Sequence, residues 1–224
     1  MGKLINIGGR YANADAVDKV IRYVTRTRTN ETRAENLQGY GGLGIFRYDT
    51  VEMMIGRFKA VQDAYGIRHR KGKRMFHEVF SITDMEFKGI NCDMKLLNQI
   101  ALELCGEYYR QGFQVVYAIH WEEEKKLHIH FAVNSVSFMT GKKFITSREG
   151  NRERERLFNE KLYCYCRMLH PENEWFCSPP IRRKYYRYGH STASIRIRPG
   201  SSLFQMPQKN IRKAVYFFRV GNNY

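Results

Sequence analysis

Apolar positions recur at helical spacing in four segments of the chain. Over 14–25, Val17, Val20, Ile21 and Val24 follow the i, i+3, i+4, i+7 rule, and Asp15 stands near the start, where the dipole favours an anion. A second helix is predicted over about 49–65, with Val51, Met54, Ile55, Phe58 and Tyr65 on one side. Asp93 is placed to cap a third, which runs to about 110 on Leu96, Leu97, Ile100, Leu104 and Tyr108 and is ended by Gly112. A fourth, over 151–169, shows Phe158, Leu162, Tyr165 and Leu169 on one face. Strands are predicted at 75–83 ("MFHEVFSIT"), 113–120 and 127–138. The polar, glycine-rich "TRTRTNETRAENLQGYGGLGIF" reads as a loop, "IRHRKGKR" (67–74) as a basic loop, and "MTGKKFIT" as a turn and short strand. No internal repeat is visible. "SPPIRRK" (178–184) marks a boundary between a core domain over 1–180 and a tail over 181–224.

The two central strands form an antiparallel hairpin if "WEEEKKL" closes it. Residues i and i+2 of a strand share a face, about 6.6 Å apart. His128 and His130 then point the same way, and His120 joins them if it pairs with His128. Ala118, Ala132 and Asn134 fall on that face as small or polar groups that leave room. The opposite face carries Val115, Tyr117, Ile119, Ile129, Phe131 and Val133, an apolar surface for helices to cover. On a helix, i and i+2 would diverge by about 200° and could not chelate together. The pattern therefore predicts an α+β fold: an antiparallel sheet, helices packed mainly on one face, and the histidine cluster on the other. Three neutral imidazoles on one face make a metal site with open positions. Zinc fits the ligand type, and a hard cation held against phosphate oxygens fits as well.

Charge narrows the partner. The 224 residues carry a net charge of +16, which points to nucleic acid or another polyanion. Residues 181–224 hold ten Lys/Arg and no Asp or Glu, so the tail supplies most of the excess. No apolar run approaches ~20 residues, and "MGKLINIGGR" has no apolar signal core, so a cytosolic, non-membrane protein is expected. Its five cysteines read as reduced thiols. Cys164, Cys166, His170 and Cys177 have a spacing that suits zinc poorly within a helix, and the cysteines are read as buried thiols.

"HWEEEKKLHIHFAVNSVSFMTGKKF" resembles the third motif of conjugative relaxases of the mobilisation (P-type) class, within the HUH endonuclease group. The motif's first histidine, acidic residue, His–hydrophobic–His pair and asparagine fall on His120, Glu122, His128, Ile129, His130 and Asn134. Two departures are Glu where Asp is usual and a spacer one residue longer. "MFHEVFSIT" resembles the second motif, matching His77 and Ser81. "AVDKVIRYVTRTRTN" resembles the first, where a tyrosine near a helix end is the nucleophile; that position is Tyr23. The similarity spans roughly 14–170.

The resemblance implies cleavage of single-stranded DNA at a transfer origin through a 5′-phosphotyrosyl intermediate. It implies His120, His128 and His130 as ligands of Mn²⁺ or Mg²⁺, with Glu122 orienting a histidine or accepting the tyrosine proton. Tyr40, in "GYGGLG", is the second candidate nucleophile. Expected DNA contacts are Arg26, Arg28, Arg70, Lys71, Lys73, Arg74, His77, Ser81 and Asn134. In the tail they are Arg183, Lys184, Arg187, Arg196 and Arg198, where Tyr185, Tyr186 and Tyr188 interleave with the cations to stack bases. "SIRIRPGSSLF" there reads as a hairpin. Implied partners are accessory nicking proteins and a secretion-system coupling protein, for a monomeric bacterial enzyme. A rolling-circle replication initiator shares this chemistry. A basic nucleic-acid-binding module with a structural zinc is the non-enzymatic alternative.

Overall fold

The computed structural model of the chain describes residues 1–9, 11–26, 36–67, 71–122 and 126–177. Its elements are β1 (Lys3–Asn6), α1 (Ala16–Val24), β2 (Leu37–Leu43), α2 (Val51–Ala64), β3 (Met75–Ser81) and α3 (Asp84–Gly89). There follow α4 (Met94–Tyr109), β4 (Val115–Glu122), β5 (Lys126–Asn134), α5 (Arg148–Leu169) and α6 (Glu174–Cys177). The strands form one antiparallel sheet in the order β1-β3-β5-β4-β2. The fold is α+β, as the alternation predicts. The boundary at 178–184 and the whole tail lie outside the described residues.

The predicted hairpin is the centre of the sheet. Val115 pairs with Val133, Tyr117 with Phe131 and Ile119 with Ile129, so these side chains share one face. Together with Phe80 they are covered by α3, α4, α5 and α6, through residues such as Phe87, Leu97, Leu104, Tyr108, Phe158 and Phe176. Each fully buried Leu or Phe there contributes about 1.5–3 kcal/mol of transfer free energy. One ion pair is buried in this layer: Arg154 donates to Glu78 at 2.9 Å, and Tyr108 Oη donates to the same carboxylate at 2.5 Å.

The helices lie mainly on this apolar face, but α1 and α2 pack on the other. Val17, Val20, Ile21 and Val24 of α1 and Met54, Ile55 and Phe58 of α2 cover Met75, Val116, Ala118 and Ala132. The two alanines, expected as open space beside the histidines, are fully buried. Their small side chains admit α1 close to the sheet.

Helix ends follow the local chemistry. Asp93 Oδ1 accepts the Lys95 and Leu96 amides at 2.8 and 3.1 Å, and Gly112 stands at φ +86° just beyond α4. A Cβ there would collide with the Ser137 hydroxyl, so the turn requires glycine on both counts.

Four expectations change. The segment 37–43, whose composition suggests a loop, is strand β2. A Cβ on Gly39 would run into the Asn98 side chain, so its glycine lets α4 sit close on the strand. β1, four residues long, has no signal in the apolar pattern; it pairs with β3, and its Leu4 amide donates to Glu155 Oε2 at 2.9 Å. The strand predicted to 83 stops at Ser81, and Thr83 and Glu86 form a capping box that starts α3. The strand predicted over 127–138 ends at Asn134, and "MTGKKFIT" contributes an isolated bridge between Val136 and Lys143.

Candidate metal centre and its tyrosines

Register brings the histidines together. His120 lies directly opposite His128, and His130 lies opposite Ala118. Each of the three offers one ring nitrogen, and these nitrogens lie within 4.8 Å of one another. The ring centroids are 4.3 Å apart for His120 and His130, 4.8 Å for His128 and His130, and 5.5 Å for His120 and His128. All three are buried. Burial, then the Arg26 guanidinium, pushes His120 down to about 3, against the pull of the Val24 carbonyl. Burial and the neighbouring histidines drive His130 far below the usual imidazole range. His120 and His130 therefore present neutral nitrogen donors at neutral pH, the state a metal requires.

The hydrogen bonds select the ligating atoms. His120 Nε2 is 2.7 Å from Val24 O, and a carbonyl only accepts, so Nε2 carries the proton and Nδ1 holds the lone pair. His130 Nδ1 is 2.7 Å from His77 Nε2, while its buried Nε2 has no hydrogen-bond partner. A buried, unsatisfied nitrogen beside two more imidazoles is what a divalent metal ion would satisfy. The residues fit such an ion. The C-terminal end of α1, with its partial negative charge, also abuts the site through Val24.

Tyr23 stands in the last turn of α1. Its ring centroid is 5.8 Å from those of both His77 and His130, edge-on to each. Tyr40 lies on the same sheet face but pairs with Ala118 on β2, two strand spacings or about 10 Å from His130. Tyr11, which no periodicity singles out, places its hydroxyl 3.3 Å from His77 Nδ1. Burial and the proximity of Tyr23 raise its pKa. Burial and His128 bring His77 down to about 4.

Arg26 and Glu122 form a unit. Arg26 follows the end of α1 at φ 54°, a left-handed turn that sends its side chain back over the site. Its Nη2 donates to Glu122 Oε1 at 2.5 Å and to His120 Nδ1 at 3.0 Å, and its Cζ lies 5.2 Å from the Tyr23 ring centroid. The lone pair that Arg26 occupies on His120 is the one a cation would take, so the two compete for it. The guanidinium, expected to contact phosphate, is buried within the protein. Glu122, expected to act on a histidine or the tyrosine proton, accepts from Arg26 and offsets its charge beside the cation site.

The other predicted residues separate. Ser81 lies opposite His128 on the histidine face, half-buried, and exposed Lys3 extends that row. Lys3 carries no sequence signal because β1 carries none. Asn134 is buried and bonded internally to Gln62, Gln114 and the Phe58 carbonyl, at 2.9, 2.8 and 3.1 Å. These bonds engage both ends of the amide, which was expected to face DNA. Lys71, Lys73 and Arg74 precede β3 at the end opposite Ser81, about 20 Å along the strand. Arg28, Arg70, Arg183, Lys184, Arg187, Arg196 and Arg198 lie outside the described residues. Cys105 and Cys166 are buried free thiols, but Cys164 is exposed, and no second metal-ligating group occurs among the described residues.

Residues 23–163, more than half of the chain, match the family model described as "Relaxase: MobA/VirD2-like, nuclease domain". The matched span begins at Tyr23 and contains all three clustered histidines. No curated protein matches the chain. Among the described residues, no helix is long and apolar enough to cross a membrane.

Proposed function

Because the chain belongs to the MobA/VirD2-like relaxase family and carries its nuclease domain, we propose that it nicks one strand at a transfer origin with Tyr23 as nucleophile. The observation that carries this reading is the 5.8 Å approach of the Tyr23 ring to His130, at a helix end beside three buried histidines. A phenol is a weak nucleophile at neutral pH and needs a phosphate whose charge is neutralised. A divalent ion held by His120, His128 and His130 would supply that by polarising the non-bridging oxygens. Tyr23 Oη attacks phosphorus and gives up its proton, the bond to the 3′-oxygen breaks and that oxygen takes up a proton as a free 3′-hydroxyl, and a 5′-phosphotyrosyl linkage replaces the phosphodiester. Bond energy is conserved, so the strand can be rejoined. Lys3 and Ser81 line the same row as His128 and suit the backbone flanking the scissile phosphate.

Labelled single-stranded oligonucleotides from DNA adjoining the gene, resolved on denaturing gels, test the reading. The expected result is a covalent adduct that chelator abolishes and Mn²⁺, Mg²⁺ or Zn²⁺ restores. Tyr23→Phe should bind the oligonucleotide and form no adduct. An adduct in that variant, or label mapped to Tyr11 or Tyr40, refutes the assignment.

A further inference from the structure

His77 has no place in that chemistry, yet it is almost wholly enclosed, at 3 % exposure, on the strand next to His130. Its Nε2 lies 2.7 Å from His130 Nδ1 and its Nδ1 lies 3.3 Å from the Tyr11 hydroxyl, so three side chains form one string. The string has two consistent proton arrangements. In one, Tyr11 donates to His77, His77 donates to His130, and the His130 proton sits on Nε2, buried with nothing to bond. In the other, His130 Nδ1–H donates to His77 Nε2, His77 Nδ1–H donates to the Tyr11 oxygen, and His130 Nε2 keeps a bare lone pair. Only the second leaves His130 able to bind a cation, and it satisfies every nitrogen of the string once one is bound.

We infer that His77 is a positioning residue for the metal centre, accepting the His130 Nδ1 proton so that Nε2 is held as a ligand, with Tyr11 as the anchor of the string. It rests on the metal reading above. His120 has the same device in another form, its Nε2 proton taken by the Val24 carbonyl at 2.7 Å. A backbone carbonyl accepts irrevocably, whereas a histidine can accept or donate; Tyr11 biases that choice. The residue expected to touch DNA therefore acts through His130. It also leaves the Tyr11 hydroxyl proton free to point away from the string.

Replacement separates this role from packing. Glutamine can set an oxygen where His77 Nε2 stands and accept the His130 proton; leucine of similar volume cannot. Mn²⁺ binding to the full chain, without DNA, is measured by calorimetry and by the electron paramagnetic resonance of free ion, with Co²⁺ absorption reporting ligand geometry. His77→Leu should weaken Mn²⁺ by about 10- to 100-fold, His77→Gln should recover most of it, and Tyr11→Phe should lose a few-fold. Co²⁺ spectra should change in His77→Leu and revert in His77→Gln. Equal weakening by both His77 variants, or by neither, overturns the inference. Should His77→Leu not fold, the decision falls to His77→Gln against His77→Asn, whose shorter amide does not reach Nδ1 of His130; equal affinities overturn it. Failure of the wild-type chain to bind Mn²⁺, Co²⁺ or Zn²⁺ overturns the metal reading instead.

Discussion

Mild acid should unfold this domain through its histidines, ahead of its carboxylates. His77, His120 and His130 are buried neutral, with His77 held at about 4, His120 at about 3 and His130 lower still, against an ordinary value of 6.5. The folded values lie below the unfolded one, so the contribution is intact above pH 6.5 and is lost as pH falls toward 4. In that window the unfolded chain binds three protons that the folded chain refuses. Each costs about 1.4 kcal/mol per pH unit, so three give a slope near 4 kcal/mol per unit and a loss of about 6 kcal/mol between pH 7 and 5. That is comparable with the whole stability of many domains, about 5–15 kcal/mol. Urea unfolding followed by circular dichroism, at fixed ionic strength with chelator, measures the loss directly. His77→Gln removes one of the three protons and should reduce the loss by about a third. Equal unfolding free energies at pH 7 and 5 would refute the reasoning, since they would mean that the rings escape to water or find acceptors before protonating.

Two further outcomes follow from other parts of the molecule. Arg154→Met leaves the fully buried Glu78 without its cation and should cost about 3–5 kcal/mol in chemical denaturation, part of it restored by adding Glu78→Gln; unchanged stability would refute the buried-pair reasoning. Ending the chain at residue 180 removes ten Lys/Arg and should flatten the salt dependence of single-strand binding, by about 0.7 in log–log slope for each phosphate the tail no longer holds; an unchanged slope would place DNA recognition wholly within residues 1–180.

Periodicity alone determined much of this protein. The alternation in 113–138 carries its own register, because a strand's period of two assigns each side chain to a face and a slip by one would bury the histidines among Tyr117, Ile119 and Phe131. The three-histidine cluster was legible for that reason. The helical stripes of α1, α2, α4 and α5 were legible because each must hide one face. What the chain's local pattern does not carry is long-range approach. Gly39, Gly41 and Gly42 look like loop until their neighbours are in place: Asn98 of α4 stands where a Gly39 side chain would be, and Tyr117 and the Val115 carbonyl of β4 crowd the other two. Lys3 joins the histidine row only because a four-residue edge strand pairs with β3, and Tyr11 reaches His77 through a long-range hydrogen bond; no short-range signal announces either. Arg26 and Asn134 show the converse. As sequence, each is a polar group suited to DNA; in the fold, a left-handed turn buries one against Glu122 and His120, and Gln62, Gln114 and a carbonyl consume the other. Local spacing decides which face a residue takes, and only tertiary packing decides which hydrogen bonds it has left to give.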